Sequence, residues 1–475
     1  MPVALALAAL ALLVSVAPVA ATDPSAAPDP SAEPAATPVP TLPAGDPATT
    51  PLPAPYTAFV DPALPGGAAS VPVGLPAAIT FHGRGYGHGV GMSQYGARGR
   101  ALAGQDTPEI LAHYFPGTTV GFIDPATIVR VQVLSAYPAT ATRPLRIYAR
   151  GGAWAIEGVA AVFPADAQLR VWRVSVTTPT GTRTSAWRTD IVDASGALLH
   201  SGTMTRSFRV SPVEPTTTLQ LWSKPSTYDR YRGSLLIVAR AKPDVINEVG
   251  LDDYLRGVVP VEMPASWPAA ALRAQAIAAR SYAARRIRPA AAFDLYDDTR
   301  SQAYRGVLAE RPTTDEAVAL TAGMVLQYGG AIADTYFHSS AGGATEANDL
   351  VWVSSTGRVT GAPVPYLRGG PDRAPDGTAY DAAAGHYAWQ SATYTPEQLG
   401  AILARDPRTA VGTLLAIDLS RRAPSGRVIA ITLAGTAGTR TVSADVFRVV
   451  FNRHKPSGHP VLKSTLFAIG TWPTP

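Results

Sequence analysis

The chain has 475 residues, 46% of them hydrophobic and 16% charged, which is apolar material for two or three packed cores and excludes a disordered or collagen-like polymer. It contains no cysteine, so a disulfide framework and a thiolate metal site are both excluded. The net charge of +5 is spread along the sequence without a nucleic-acid-binding motif, so no nucleic acid partner is inferred.

Residues 1–21 form an apolar run ending in Val19, Ala20 and Ala21, as in a secretory signal peptide with a small-residue cleavage site. No Lys or Arg precedes it, and its length approaches that of a spanning helix, so an uncleaved anchor is the alternative. Either reading places the body of the protein outside the cytoplasm, secreted or held at the cell envelope, with a mature chain beginning near Thr22 if the leader is cut. Residues 22–54 are a Pro/Ala/Thr-rich linker with little to bury.

Residues 82–95, HGRGYGHGVGMSQY, are glycine-rich, which permits left-handed backbone and close approach of a ligand to main-chain amides. A metal site would need more ligands than His82 and His88 at a recognised spacing. A serine nucleophile at Ser93 would need a second glycine where Tyr95 stands. A saccharide-lining loop and a purely structural turn both remain open. Thr107 and Pro108 then read as N-cap and first residue of a helix through Tyr114.

From 128 to 241 the pattern alternates. IVRVQVL, LRIYAR, LRVWRVSV, TRSFRV, LQLWS and SLLIVAR read as strands between turns. They form either a separate sandwich-like insert or strands of the main domain.

Residues 251–287 carry the most suggestive chemistry. Glu262 lies between Pro260 and Pro264 and among Val259, Val261 and Met263. The prolines fix their own φ and bias Met263 away from helix, predicting a stiff extended or turn-like segment. Apolar surroundings penalise an ionised carboxylate, so Glu262 is a candidate general acid with a raised pKa; a plain surface carboxylate is the alternative. A helix follows Pro268, with Leu272, Ala276, Ala279, Ala283 and Ile287 on one face. Arg273 and Arg280 line one flank, and Gln275 and Tyr282 the other. Further on, Thr313 and Glu316 suggest a capping box for a helix through Ala322. AIADTYFH reads as a strand entering a glycine turn, Thr395 caps another helix, LLAIDLS and SGRVIAITLAG form a hairpin, and LKSTLFAI closes the chain as a strand.

YLRGVVPVEMP at 254–264 and ALRAQAIAARSYA at 271–283 resemble the sporulation stage II protein D (SpoIID)/LytB family of bacterial cell-wall proteins. TRSQAYRGV at 299–307, YFHSSAGGATE at 336–346, LKSTLFAI at 462–469 and the segment 87–118 opening GHGVGMSQYGA also match. In the sporulation members the GHGVGMSQYGA motif comes near the end; here it precedes the glutamate, as in a permuted arrangement. The resemblance implies an α+β SpoIID-like mixed domain: 55–121 as its glycine-rich segment, 122–230 as a β-rich insert, and 231–475 as the main catalytic region. It implies a peptidoglycan lytic transglycosylase, with Glu262 as the single catalytic carboxyl acting on glycan strands. Candidate substrate contacts are Arg273, Gln275, Arg280, Tyr282, His88, Ser93, Gln94, Tyr95, Gln302, Tyr304, His338, Ser339, Ser340 and Thr345. Some members bind zinc near 300–301, but Arg300 and Ser301 stand there, so no metal and no cofactor are expected. The alternative is a non-catalytic glycan-binding protein that enhances an amidase or another wall hydrolase. A hydrolytic glycosidase would need a second carboxylate, such as Asp252 or Asp298.

Overall fold

A computed structural model of the chain describes residues 75–470 apart from Thr178; the apolar leader, the linker and the opening of the 55–121 segment lie outside the described residues. The fold is mixed α+β, as expected, with helices packed among several sheets. Among the described residues, no helix is long and apolar enough to cross a membrane.

The described chain enters through β1 (Phe81–Arg84) and continues as β2 (Met92–Ser93), α1 (Gln94–Leu102), α2 (Thr107–Tyr114) and β3 (Thr119–Phe122). Between β1 and β2 the backbone winds through positive φ at Gly85, Gly87, Gly89 and Gly91, a conformation that other residues adopt only with strain. At Gly89 there is also no room, since a Cβ would lie 2.3 Å from Nε of the buried Arg427. The cap of α2 is Asp106 rather than Thr107. Its carboxylate accepts the Glu109 N–H, and Glu109 accepts the Asp106 N–H in return. An acidic cap also meets the positive end of the helix dipole, which favours Asp over the neighbouring Thr.

Strands follow as β4 (Ile128–Leu134), β5 (Leu145–Arg150), β6 (Trp154–Ile156), β7 (Val162–Phe163), β8 (Gln168–Thr177), β9 (Arg183–Val192), β10 (Leu198–Met204), β11 (Phe208–Pro212), β12 (Thr218–Gln220), β13 (Arg230–Tyr231), β14 (Ser234–Val238) and β15 (Asp244–Gly250). The six alternating segments of the sequence correspond to β4, β5, β8, β11, β12 and β14. One sheet runs in the order β10-β9-β8-β5-β12-β13; in the other, β4-β15-β14-β11-β6-β7 are neighbours. The second sheet mixes strands from both sides of residue 230. Its core is continuous with Tyr254, Leu255, Ala276 and Ala279 of the helical region, so these strands share one interior with the helices.

Strand β15 leads directly into α3 (Leu251–Arg256), α4 (Val259–Glu262) and α5 (Ala269–Arg285). Helix α5 is buried on nearly every side. Ala276, Ala279 and Ala283 face the sheet core, while Ala271, Leu272, Ala274 and Ala278 pack with Val90, Met92, Ile110 and Phe115. The single apolar face expected from the sequence is therefore two. Alanine is small enough to admit a neighbour on both sides without a void, and Leu272 belongs to the second of these faces.

Beyond α5, β16 (Leu295–Tyr296) pairs in parallel with β4, and α6 (Pro312–Leu320) follows. The capping box expected at Thr313 and Glu316 does not form. Pro312 starts the helix after Arg311, and the Thr313 hydroxyl donates to the Ala265 carbonyl at 2.7 Å. β17 (Met324–Tyr328) pairs with β3 and with β18 (Ala331–Ile332). The strand expected over AIADTYFH is split, since Ala333–Tyr336 lies outside the ladder and β19 (Phe337–His338) pairs in parallel with β2. Then come β20 (Ala344–Glu346), α7 (Asn348–Val351), β21 (Gly369–Pro371), β22 (Ala388–Gln390) and α8 (Pro396–Leu403). Thr395 caps α8 as the sequence indicates. The expected hairpin is β23 (Leu414–Asp418) and β24 (Ala430–Gly435), extended by β25 (Gly438–Ser443). α9 (Ala444–His454) and β26 (Phe467–Ile469) complete this lobe. Its core closes on the start of the described chain, because β1 lies between β22 and β26 and Phe81 meets Phe447, Phe451 and Phe467 edge-on at 5.5–5.7 Å.

Candidate active site

Glu262 is the last residue of α4, a single helical turn, so of the extended and turn-like forms expected from its prolines the chain takes the second. Pro260 sits where a helix start tolerates it, and the extended Met263 (φ −132°, ψ 134°) precedes Pro264 and ends the turn. Val258 and Val259 anchor one side of the turn in the sheet core, and Met263 anchors the other in the core of α1 and α2. The carboxyl is thus held at the seam between two interiors.

Its two oxygens are each engaged. Oε1 accepts the Ala303 N–H at 3.2 Å, and Oε2 accepts from Nε2 of Gln94 at 3.1 Å. Burial pushes the carboxyl above the ordinary carboxylate range, while these two hydrogen bonds and the nearby Arg305 guanidinium oppose the rise. Glu262 nevertheless keeps partial exposure, so a ligand can reach it. The GHGVGMSQYGA motif therefore comes to the glutamate despite preceding it by 168 residues.

Gln94 is the first residue of α1, and its position is set by the cap. Ser93 Oγ accepts the Gly96 N–H at 3.1 Å and the Ala341 N–H at 3.3 Å. Ser93 is fully buried, and capping accounts for it without a nucleophilic role. Tyr95 turns to the rim, where its ring meets Trp267 at 4.8 Å and its N–H donates to the Ser339 carbonyl. Arg98 lies over Trp267 at 5.6 Å, His386 stacks edge-on with Tyr86 at 4.9 Å, and Lys463 is 3.3 Å from His386. Tyr86 was legible in the glycine-rich stretch as a stacking group, whereas Trp267, Arg98, His386, Lys463 and Arg305 were not among the residues picked from the sequence. Of these five, Trp267 carried a local signal, as an aromatic between Pro264 and Pro268.

The structure redistributes the other sequence candidates. Arg280 is fully buried and does not reach toward Glu262; it binds Asp252 at 2.7 Å, Thr321 Oγ1, and the carbonyls of Met324 and Val318. Gln302 bridges the Tyr254 hydroxyl and the Ala279 carbonyl, and Tyr304 donates to Asn247, so both support the loop that presents the Ala303 N–H. Tyr282 is covered by the Arg286 guanidinium at 3.4 Å from its ring centre. Arg273 is half-buried, and Gln275 is fully buried with neither amide atom bonded to protein. His88 and His338 stand 5.3 Å apart and hold the Val90 backbone from both sides: His88 Nδ1 accepts its N–H and His338 Nδ1 donates to its carbonyl. Burial lowers the pKa of both, His88 to about 4. Ser340 donates to Asp381, and Thr345 to the Gly370 carbonyl. These side chains build the walls behind the site.

Neither sequence candidate for a second carboxylate stands free. Asp252 is tied to Arg280, and Asp298 is chelated by Arg300. Ser301 accepts the Tyr296 N–H. Among the described residues, no group of three or more His, Asp or Glu side chains is arranged to hold a metal ion.

Residues 239–328 match the family model described as stage II sporulation protein, SpoIID. The chain is 36% identical over 143 residues to an uncharacterized protein of Brachyspira hyodysenteriae, covering 29% of this chain and 37% of that one. It is 42% identical over 113 residues to the amidase enhancer of Bacillus subtilis, covering 24% and 14%. A third match, 32% over 149 residues, is to stage II sporulation protein D of Bacillus subtilis, covering 28% and 41%. These matches span less than half the length of each relative. No solved structure matches the chain.

Proposed function

Because the chain belongs to the SpoIID/LytB family, with its SpoIID domain at residues 239–328, we propose that it acts on bacterial cell-wall peptidoglycan as a lytic transglycosylase. The observation that carries this reading is the single partly exposed carboxyl of Glu262, held with a raised pKa between Gln94 and Ala303. A general acid working near neutral pH needs that environment. In the proposed cycle, protonated Glu262 donates its proton to the glycosidic oxygen as the bond from muramic C1 breaks. The resulting carboxylate then takes the proton of the same sugar's C6 hydroxyl, whose oxygen bonds to C1. One glycosidic bond is lost and one internal ether formed, the proton returns to Glu262, and no water is consumed. A single carboxyl serves both steps, which fits a site where Asp252 and Asp298 are bound to arginines. The aromatic and cationic rim of Tyr95, Trp267 and Arg98 suits sugar rings and their polar substituents.

Mass analysis of glycan strands after incubation with the protein tests the proposal. Anhydro-muramic ends are expected; reducing muramic ends would show that water is the nucleophile. Strands bound but left uncut would sink the enzymatic reading and leave an amidase-enhancing role.

The Gln94 contact yields a separate expectation. Its hydrogen bond favours the ionised form, so Gln94→Leu should raise the Glu262 pKa further. The alkaline limb of the pH–rate profile should move to higher pH. A limb unchanged in position would mean that Gln94 does not set the acid's proton affinity.

A further inference from the structure

The loop that presents Ala303 to Glu262 has a second neighbour. Asp297 accepts the Tyr304 N–H on its carbonyl, and its side chain pairs with Lys224, from the loop between β12 and β13. The two loops are fixed against each other: Tyr231 packs on Tyr304 at 5.7 Å, and a Cβ on Gly306 would lie 2.2 Å from the Arg230 carbonyl oxygen. Where they meet β4 there is a recess of about 200 Å³, lined by Gln132, Ser135, Lys224, Asp297 and Arg300 among others. Trp222, two residues before Lys224 on the same loop, is 54% exposed, its ring 5.9 Å from that of Tyr148. Tyr228, 37% exposed, lies under Arg305, the guanidinium that also acts on Glu262.

We propose that this recess and the Trp222 ring form a second glycan-binding subsite, which holds the same amino-sugar strand away from the point of cleavage; the inference rests on the function proposed above. The charges at the recess are already paired, Lys224 with Asp297 and Arg300 with Asp298. Such a surface offers hydrogen-bond donors and acceptors for the hydroxyl and acetamido groups of a sugar. A pyranose presents a C–H face and a rim of hydroxyl and acetamido groups. The first suits an exposed indole, the second a polar recess carried by the same loop. One loop lines the recess through Asp297 and Arg300 and reaches Glu262 through the Ala303 N–H, so the two places are close along the chain for one polymer to occupy.

The test uses the full chain carrying Glu262→Gln, so that strands are not consumed, titrated with peptide-free glycan strands and separately with a tetrasaccharide of the same sugars. Trp222→Ala in this background should weaken binding of long strands by about tenfold, the size of effect expected for an exposed aromatic anchor. Tetrasaccharide binding should be unchanged, and Trp222→Phe should recover most of the loss. Long strands bound equally well with and without the Trp222 ring would overturn the subsite and leave the active-site proposal intact. Stem peptide that competes with long strands only when Trp222 is present would also overturn it, by making the occupant a peptide. If the Glu262→Gln chain binds no glycan of either length, the proposed function fails first and this inference with it.

Discussion

Replacing Glu262 with glutamine is expected to reduce glycan cleavage by at least ~10²–10⁴-fold, the usual contribution of general acid–base catalysis, while glycan binding is nearly unchanged. Glutamine keeps the shape of the side chain and can still meet Gln94 and the Ala303 N–H, but it has no proton to give. Glu262→Asp should also be poor, because it withdraws the carboxyl by one methylene, roughly 1.5 Å. The pH dependence follows from the direction of the shift. Burial raises the Glu262 pKa, so the proton-loaded form persists to higher pH than in a free glutamate, and activity declines as pH rises through that raised value. A glutamine variant with wild-type turnover would remove Glu262 from the mechanism.

Arg280→Ala is expected to act on stability rather than on substrate. The guanidinium is fully buried and joins α5 to α3 through Asp252, to α6 through the Val318 carbonyl, and to the start of β17 through the Met324 carbonyl. Truncation removes the guanidinium from Asp252 and from the Met324 and Val318 carbonyls and opens a cavity. Breaking a buried pair from one side typically costs ~3–5 kcal/mol, a large part of the ~5–15 kcal/mol that holds a typical protein folded. Arg280→Lys should recover little, because an ammonium cannot reproduce the fork that reaches three elements at once. Denaturant titration decides the matter. An unchanged midpoint accompanied by weakened glycan binding would return Arg280 to the substrate-contacting role expected from its place in the family motif.

Local chemistry was legible where the sequence states it locally. The prolines around Glu262 and its apolar neighbours pointed to a raised pKa, and Thr395 marked the start of α8. Alternation found β4, β5 and β8, strands with one face buried and one turned outward for much of their length. It could not find β15, because DVINEVG is buried on both faces over its first four residues and shows no period of two. Burial likewise separated Arg280 from Arg98. Both are arginines on helices close to family motifs, and only packing shows that the first is interior and the second lies over Trp267 at the rim. The Gln94–Glu262 contact spans 168 residues and depends on how the glycine-rich segment folds back onto the helices, which no local pattern encodes.

The placement of β1 between β22 and β26 has a consequence in time. Phe81 has no interior to enter until Phe447, Phe451 and Phe467 have been synthesised, and the segment anchored by Phe81 is the one that brings Gln94 to Glu262. Contacts between such distant parts of a chain form slowly, because the intervening loop must close before they return any energy. On a ribosome, the SpoIID segment would therefore emerge with its acid lacking one of its two hydrogen-bond donors. Completion of the surroundings of Glu262 would wait for β26. A chain ending before Leu462 should accordingly lose both the burial of Phe81 and the raised proton affinity of Glu262.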